Sequence, residues 1–345
     1  VSTMRLVWTL CATLIGATSA LADPVADFYR GKSIRLIVGA AAGGGYDIPA
    51  RLIANHMGKH IPGNPSFVVE NMPGAASLIM TNYLYARAAR DGTAMGMPNN
   101  NIPLEPRLKQ LSREGGNVSF DVTKFNWLGS PVQEPQVLVT LSSAAKSLDD
   151  LRSRKVIVGS TGTTADNYSV PALLNQIFGT KMEIVTGYKG QSDIFLAMEQ
   201  GEVQGNSTGL TNVLVTKADW IKSGKANIIV KLGLERAPEL PNIPTALELA
   251  PNDEAREVLR LFLVKYRMAR PLALPPDVPA DRLKALNAAF DATMKDPAFL
   301  AEARQIGLDI NPVGGAEMTR LVADIQASPQ ATVDRLQKLL GPPAK

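Results

Sequence analysis

The 345-residue chain predicts an α/β fold divided into two domains. Short apolar runs alternate along the chain with longer amphipathic segments, which is strand and helix order and favours mostly parallel sheets covered by helices. Loops rich in glycine or hydroxyl groups follow several of the apolar runs. Two segments interrupt the alternation: 125–131 leads from a polar, glycine-containing loop into a new strand, and 270–276 ends an apolar stretch that begins at Leu261. The length also fits two domains of about 100–200 residues each.

Strands are predicted where short apolar runs such as Ile34–Val38 are bounded by turn residues. These strands cover 33–39, 66–70, 94–97, 127–129, 137–141, 155–159, 183–186 and 228–232. Helices are predicted where apolar residues recur every three to four positions. These helices cover 47–60, 75–89, 147–152, 167–178, 190–200, 211–223, 280–294, 297–306 and 315–340.

The first 22 residues have the features of a secretory signal peptide. A basic start at Met4 and Arg5 precedes an apolar core from Leu6 to Ile15, and Ala20-Leu21-Ala22 is a small-x-small cleavage site. The alternative, a membrane anchor, needs about 20 apolar residues. We therefore expect cleavage after Ala22 and export of the protein to the periplasm.

Composition excludes several classes of function. Cys11, the single cysteine of the chain, lies in the predicted signal peptide, so the mature protein has no disulfide, thiolate metal site or cysteine nucleophile. The 36 Lys and Arg residues outnumber the 32 Asp and Glu residues only slightly and are spread along the chain. Nucleic-acid binding is therefore not predicted, and no motif indicates a cofactor.

The two interrupting segments predict where the chain passes between domains. If the chain crosses at both, residues 23–130 together with 264–345 form domain 1, and residues 131–263 form domain 2. A hinged pair of domains encloses a cleft, which is a common position for a ligand.

A glycine loop stands between the first predicted strand and the helix that follows. It consists of Ala42, Gly43, Gly44, Gly45, Tyr46 and Asp47. A strand, a glycine turn and a helix in this order direct free backbone N–H groups at an anion. The sequence matches neither a P-loop nor a dinucleotide fingerprint. The alternative is an ordinary turn between strand and helix.

A second loop, from Gly159 to Thr164, has the same position after a strand. Its hydroxyl groups, including those of Ser160, Thr161 and Thr163, stand beside free N–H groups and are suited to a carboxylate. The alternative is helix capping by one of these side chains. Two further turns, 70–77 and 187–192, also follow predicted strands, where open α/β sheets bind their ligands.

No catalytic site is predicted. His56 and His60 share a helical face, but no third metal ligand is evident, and exposed or capping histidines are the alternative. No Gly-x-Ser-x-Gly sequence presents a serine nucleophile. Asp47 is the best candidate acid, and its alternative role is to complement the helix dipole.

The chain resembles the substrate-binding receptors of tripartite tricarboxylate transporters, the Bug or TctC-like family. The resemblance covers nearly the whole mature chain and rests on an ordered set of segments. They are 24–38, 42–47, Ala50-Arg51, 69–75, 91–93, 159–162, 188–190, 201–203, 240–245, Glu248, 275–279, Leu286-Asn287 and Asp296-Pro297.

The resemblance implies a two-domain periplasmic binding protein of type II, a Venus flytrap with two crossover strands. Such a receptor captures a small carboxylate and delivers it to the membrane permease subunits of the transporter. We expect this protein to be a monomer. The family's binding positions map to the first glycine loop and to the other three turns. The residues implied are Ala42, Gly43, Gly44, Gly45, Asp47, Gly74, Ala75, Ser160, Thr161, Thr163 and Tyr188.

Several departures from the family pattern leave the identity of the ligand open. Tyr46 is bulkier than the usual residue and is expected to determine which acid fits. Ala76 and Ser77 replace small residues that often include glycine, and Asn206 stands where aspartate is common. Two other functions remain open, a ligand sensor that partners a membrane kinase and an exported α/β hydrolase or isomerase using Asp47 and a histidine.

Overall fold

The computed structural model describes residues 23–109, 117–163 and 165–341. The predicted signal peptide, residues 1–22, and its cleavage site lie outside these residues. Within the described ranges, none of the helices is both long enough and apolar enough to cross a bilayer.

The described residues form eleven strands and fourteen α-helices. The strands are β1 (Ser33–Val38), β2 (Ser66–Asn71), β3 (Ala94–Met97), β4 (Asn126–Ser130), β5 (Gln136–Leu141), β6 (Val156–Ser160), β7 (Met182–Thr186), β8 (Gly205–Gly209), β9 (Ala226–Leu232), β10 (Leu272–Leu274) and β11 (Val313–Gly314). The helices are α1 (Pro24–Tyr29), α2 (Asp47–Met57), α3 (Leu78–Ala86), α4 (Glu105–Leu108), α5 (Leu148–Ser153), α6 (Asp166–Phe178), α7 (Gln191–Glu199), α8 (Leu210–Thr216), α9 (Ala218–Lys222), α10 (Asp253–Leu263), α11 (Ala280–Thr293), α12 (Pro297–Gln305), α13 (Gly315–Ala327) and α14 (Gln330–Leu340).

The strands form two separate sheets, each the centre of one lobe. The first lobe has the strand order β11-β4-β10-β3-β1-β2, and the second has the order β7-β6-β8-β5-β9. The chain passes between the sheets after β4 and returns between β9 and β10. The predicted α/β, two-lobed architecture is confirmed.

Both sheets are mixed, so the prediction of mostly parallel sheets is wrong. In the first sheet β1 is parallel to β2 and β3, but β10 inserts antiparallel between β3 and β4. In the second, β6 is parallel to β7 and β8, whereas β5 is antiparallel to β8 and β9. The inserted strands are β10 in the first sheet and β5 in the second. Each is the first strand that the chain forms after crossing from the other lobe, and each is antiparallel to both of its neighbours.

Three clusters of buried apolar side chains hold the layers together. One packs α2, α11 and α12 against the first sheet around Ile53, Phe290 and Phe299, and another packs α7 to α9 against the second around Ile194 and Trp220. The third is continuous between the lobes. Its last element, α14, packs against α4, α6 and α10. Because α14 contacts elements of both segments, the predicted division at residues 130 and 263 stays a prediction.

The predicted strands all correspond to β1–β7 and β9, but several helices differ from prediction. The helix predicted over 75–89 begins at Leu78, because Ala75, Ala76 and Ser77 have left-handed φ angles of 45°, 48° and 78°. The helix predicted over 315–340 breaks at Ser328, because Pro329 follows it and disfavours helical backbone there. The helix predicted over 211–223 breaks at Lys217, whose φ of −133° is not helical.

Candidate functional site

A cleft of about 590 Å³ lies between the two lobes, at the ends of the strands. Parallel strands β1, β3, β6 and β7 all direct their carboxyl ends toward it, and the two crossing segments form its base. The lining is rich in amide and hydroxyl groups. It comprises Tyr46, Asn99, Asn100, Asn101, Glu134, Gln136, Thr161, Ala165, Asp166, Asn167, Gly190, Gln191, Thr208, Gly209, Asn212, Tyr266 and Arg270.

Asp47 holds the first glycine loop in place through hydrogen bonds. Its carboxylate accepts hydrogen bonds from the backbone N–H of Gly43 at 2.8 Å, from Arg51 Nε at 2.8 Å and from Asn71 Nδ2 at 2.8 Å. The side chain is only 3% exposed. These donors, with Arg51 the largest contributor, lower the pKa of Asp47 to about 2. Asp47 therefore shapes the loop as an ionised, fully bonded group.

Arg270, which is not among the residues predicted from the sequence, connects this loop to the second lobe. Its guanidinium lies over the ring of Tyr46, 4.6 Å from the centroid. Arg270 donates to the carbonyl of Gly45 at 2.5 Å, to the carbonyl of Ala269 at 2.8 Å and to Glu134 at 2.7 Å. A guanidinium has five N–H groups, so two remain for a ligand.

Tyr46 is fixed at its hydroxyl as well as at its ring. The hydroxyl donates to Asn100 Oδ1 at 3.2 Å and accepts from the backbone N–H of Asn100 at 3.1 Å. Burial raises the pKa of Tyr46 above its usual value, so the phenol is neutral at pH 7. With both ends held, Tyr46 forms a rigid wall of the cleft.

The second loop is organised by Asn167, near the start of α6. Its Oδ1 atom accepts hydrogen bonds from the buried Ser160 hydroxyl at 2.9 Å and from the Thr161 backbone N–H at 3.1 Å. Thr161 lines the cleft, whereas the hydroxyl of Ser160 is directed into the loop itself. The N-cap of α6 is Ala165, without a side-chain cap hydrogen bond, so the Ser160 hydroxyl does not cap this helix, and the carboxylate interpretation stays a prediction.

A second ion pair joins the crossing segment to the second lobe. Lys265 is buried and its ammonium donates to Asp166 at 2.6 Å, while Tyr266 beside it is also buried. Burial, with the charge of Asp166, raises the pKa of Tyr266 well above 10. The acids Glu134 and Asp166 are thus paired with Arg270 and Lys265, and these two ion pairs together carry no net charge.

Of the residues predicted from the sequence, Tyr46 and Thr161 line the cleft. The others lie outside the lining, and several of them have other roles in the structure. Tyr188 donates to Glu202 at 2.6 Å, and burial together with that carboxylate raises the pKa of Tyr188 to about 12. Asp47 supports the loop from beneath. The remainder are Ala42, Gly43, Gly44, Gly45, Gly74, Ala75, Ser160 and Thr163.

The turn that contains Gly74 and Ala75 acts through Ser77. The Ser77 hydroxyl donates to the carbonyl of Gly39 at 2.7 Å and accepts from the backbone N–H of Asn99 at 3.1 Å. It thereby ties the ends of β1 and β3 together, and Asn99 lines the cleft. The left-handed backbone of 75–77 is the conformation that presents Ser77 in this position.

We expect Ala76→Gly to stabilise the protein by about 0.5–1 kcal/mol. Left-handed backbone costs a non-glycine residue roughly 1–2 kcal/mol, and the extra chain entropy of glycine offsets part of the gain. Ala76 is exposed, so no packing is lost. Urea unfolding measures the change. Ala301→Gly is the control, because Ala301 is exposed within α12 and glycine there should destabilise by about 1 kcal/mol. A loss of stability in Ala76→Gly would contradict the strain argument.

The two histidines are paired with carboxylates. His56 Nε2 lies 2.7 Å from Glu302, and His60 Nε2 lies 2.8 Å from Asp296, so both join α2 and its end to α12. Within the described ranges, no group of three or more His, Cys, Asp and Glu side chains is placed to hold a metal ion. The alternative of exposed or capping histidines is replaced by hydrogen bonding to carboxylates of α12 and its N-cap.

Comparison with known proteins places this geometry in a family. Residues 49–337 match the model of the tripartite tricarboxylate transporter family receptor. The chain is 29% identical over 241 residues to protein BugT of Bordetella pertussis, covering 68% of this chain and 71% of that protein. The chain therefore belongs to the tripartite tricarboxylate transporter receptor family, whose members are periplasmic solute-binding receptors.

Solved structures support the fold. A TctC solute-binding protein from Polaromonas superimposes with a TM-score of 0.68 at 17% identity, covering 89% of this chain and all of the other. Rpa4515 of R. palustris, solved with adipate, superimposes with a TM-score of 0.60 at 20% identity, covering 90% and 98%. At these identities the likeness concerns the fold alone, and it confirms a two-domain binding protein of type II.

Proposed function

We propose that this receptor captures a small carboxylate in the cleft between Tyr46, Thr161 and Arg270, and delivers it to the membrane permease of a tripartite tricarboxylate transporter. The observation that carries the proposal is Arg270, a guanidinium with two uncommitted N–H groups on the wall of an amide-rich cleft. Charged hydrogen bonds from guanidinium to carboxylate are among the stronger polar contacts in proteins. The adipate present in one solved relative is a dicarboxylate, in keeping with this ligand class.

The arrangement favours binding over turnover. Asp47, the predicted acid, is buried and bonded on both carboxylate oxygens, and His56 is bonded to Glu302 on α12. Neither Asp47 nor His56 lines the cleft, so the pair that the hydrolase interpretation requires is not placed on a ligand there. We infer that the protein, exported to the periplasm as a monomer, binds and releases its ligand unchanged.

A thermal-shift screen of the mature protein tests the ligand class. We expect at least one mono- or dicarboxylate, aromatic acids included, to raise the unfolding temperature. A ligand at a hundredfold excess over its Kd stabilises the folded state by about 2.7 kcal/mol. Sugars and uncharged amides are the controls. Shifts produced by amino acids or sugars, with none from any other organic acid, would overturn the proposal.

A strain test addresses delivery. Deleting the permease genes should abolish uptake of the acid that the screen identifies, while the purified receptor still binds it. Uptake that persists without the permease, but with loss of gene induction when the receptor is deleted, would favour a sensor instead.

A further inference from the structure

A groove of about 260 Å³ opens beside the cleft, and its walls come from both lobes. It shares Glu134, Asn212 and Arg270 with the cleft, so the two spaces meet at the guanidinium. Beyond these shared residues the lining combines the aliphatic side chains of Val132, Val215, Ile306 and Leu308 with polar ones. The residues that line the groove but not the cleft are Val132, Gln133, Thr211, Val215, Thr216, Ile306, Gly307, Leu308 and Asp309.

Two side chains of the groove are unusually exposed for their type. Val215, on α8 of the second lobe, is 65% exposed, and Ile306, after α12 of the first lobe, is 48% exposed. They come from different lobes and line the same groove. Val215 is the most exposed of the large aliphatic side chains in the described residues. Exposed aliphatic groups at the rim of a ligand cleft favour contact with an apolar group.

We propose that the ligand is an amphipathic acid, with its carboxylate at Arg270 and an alkyl chain or ring in this groove between Val215 and Ile306. This inference rests on the proposed function and names the substrate class of the same site. Arg270 lines both spaces, so a carboxylate bonded to its two uncommitted N–H groups stands where the polar cleft gives way to the groove. An apolar tail that enters the groove would be buried there, and it would also cover the exposed side chains of Val215 and Ile306.

The charge balance of the cleft supports a single carboxylate head group. Glu134 and Asp166 face the same space that the ligand enters, each with one basic partner. One added carboxylate gives the lining a single excess negative charge, whereas a tricarboxylate gives three in a partly desolvated space. An acid that gains affinity from an apolar tail avoids that cost.

A chain-length series tests the inference, with binding of butyrate, hexanoate and octanoate measured by calorimetry on the mature protein. Burial of one methylene contributes about 0.8 kcal/mol, so affinity should rise about three- to fourfold for each carbon that the groove accepts. In Val215→Ser and Ile306→Ser the rise in affinity for each added carbon should fall below about twofold. Leu196→Ser is the matched control, because Leu196 is 52% exposed and lies outside both spaces.

The outcomes separate this inference from the proposed function. If no carboxylate binds in either the screen or the series, the proposed function fails and the inference fails with it. If carboxylates bind but affinity is independent of chain length, only the inference is overturned. Equal weakening of butyrate and octanoate in Val215→Ser would also overturn it, because the side chain would then assist lobe closure instead of holding a tail.

Discussion

Arg270→Met should lower the affinity for the best-binding acid by at least about 30-fold. Truncating one partner of a charged, hydrogen-bonded pair costs about 2–5 kcal/mol, and each 1.4 kcal/mol is a factor of ten. The variant loses the N–H groups offered to the ligand and also leaves Glu134 unpaired in the cleft, where it repels an anion. Arg270→Lys keeps the charge but loses the planar fork, so an intermediate loss is expected. Calorimetry with the acid identified by the screen measures both.

Arg267→Met is the matched control for this result. Arg267 lies in the same crossing segment and donates to Glu317 at 2.6 Å, but it does not line the cleft. The affinity of Arg267→Met for the acid should stay within about threefold of the wild-type affinity. Removing the charge of Glu134 in the Arg270→Met background should recover part of the lost affinity. Arg270→Met binding as tightly as the wild type would exclude Arg270 as the carboxylate contact.

Asp47→Ala should destabilise the protein by about 2–4 kcal/mol at pH 7. The variant removes an ionised acceptor of three hydrogen bonds, and bonds to charged groups contribute about 1.5–3 kcal/mol each, not fully additively. It also frees the backbone of the glycine loop that carries Tyr46. Urea unfolding measures the loss. Asp253→Ala is the control, since its carboxylate is 94% exposed and its removal should cost less than about 0.5 kcal/mol.

The same carboxylate predicts how stability depends on pH. The pKa of Asp47 is lowered from 3.8 to about 2 in the folded state. Its contribution is therefore complete above about pH 4 and is lost as the pH falls toward 2. The linked loss is about 1–2 kcal/mol, reduced because Arg51 is half exposed and screened by solvent. The wild type should lose more stability than Asp47→Ala between pH 5 and pH 3. Equal losses in the two proteins would show that Asp47 titrates normally.

The strands that contain a run of apolar residues could be predicted from the sequence, and those without such a run could not. The central strand β8 has the sequence Gly-Asn-Ser-Thr-Gly, and all five residues are buried beside the cleft. Its polar side chains serve the site, since Asn206 donates to Gln191 at 2.5 Å and Thr208 lines the cleft. Strands β10 and β11 are only three and two residues long, too short for a periodic signal.

The candidate site was predicted at the level of loops more than of side chains. The glycine loop and the hydroxyl loop do border the cleft, through Tyr46 and Thr161. Arg270 was missed because it lies more than 200 residues from the loop it contacts, and only the antiparallel return of β10 brings them together. Asn99 to Asn101, directly after β3, carried a usable signal, because polar side chains at the carboxyl end of a parallel strand favour a ligand position.

A crystal structure of the mature protein with the acid that gives the largest thermal shift tests the central claim most directly. We expect electron density for the acid between the lobes, with a carboxylate oxygen about 2.7–2.9 Å from an Arg270 nitrogen and with Tyr46 and Thr161 in contact. An empty cleft with the acid elsewhere, for example in the cavity of about 460 Å³ lined by Lys231 and Arg236, would contradict this binding site.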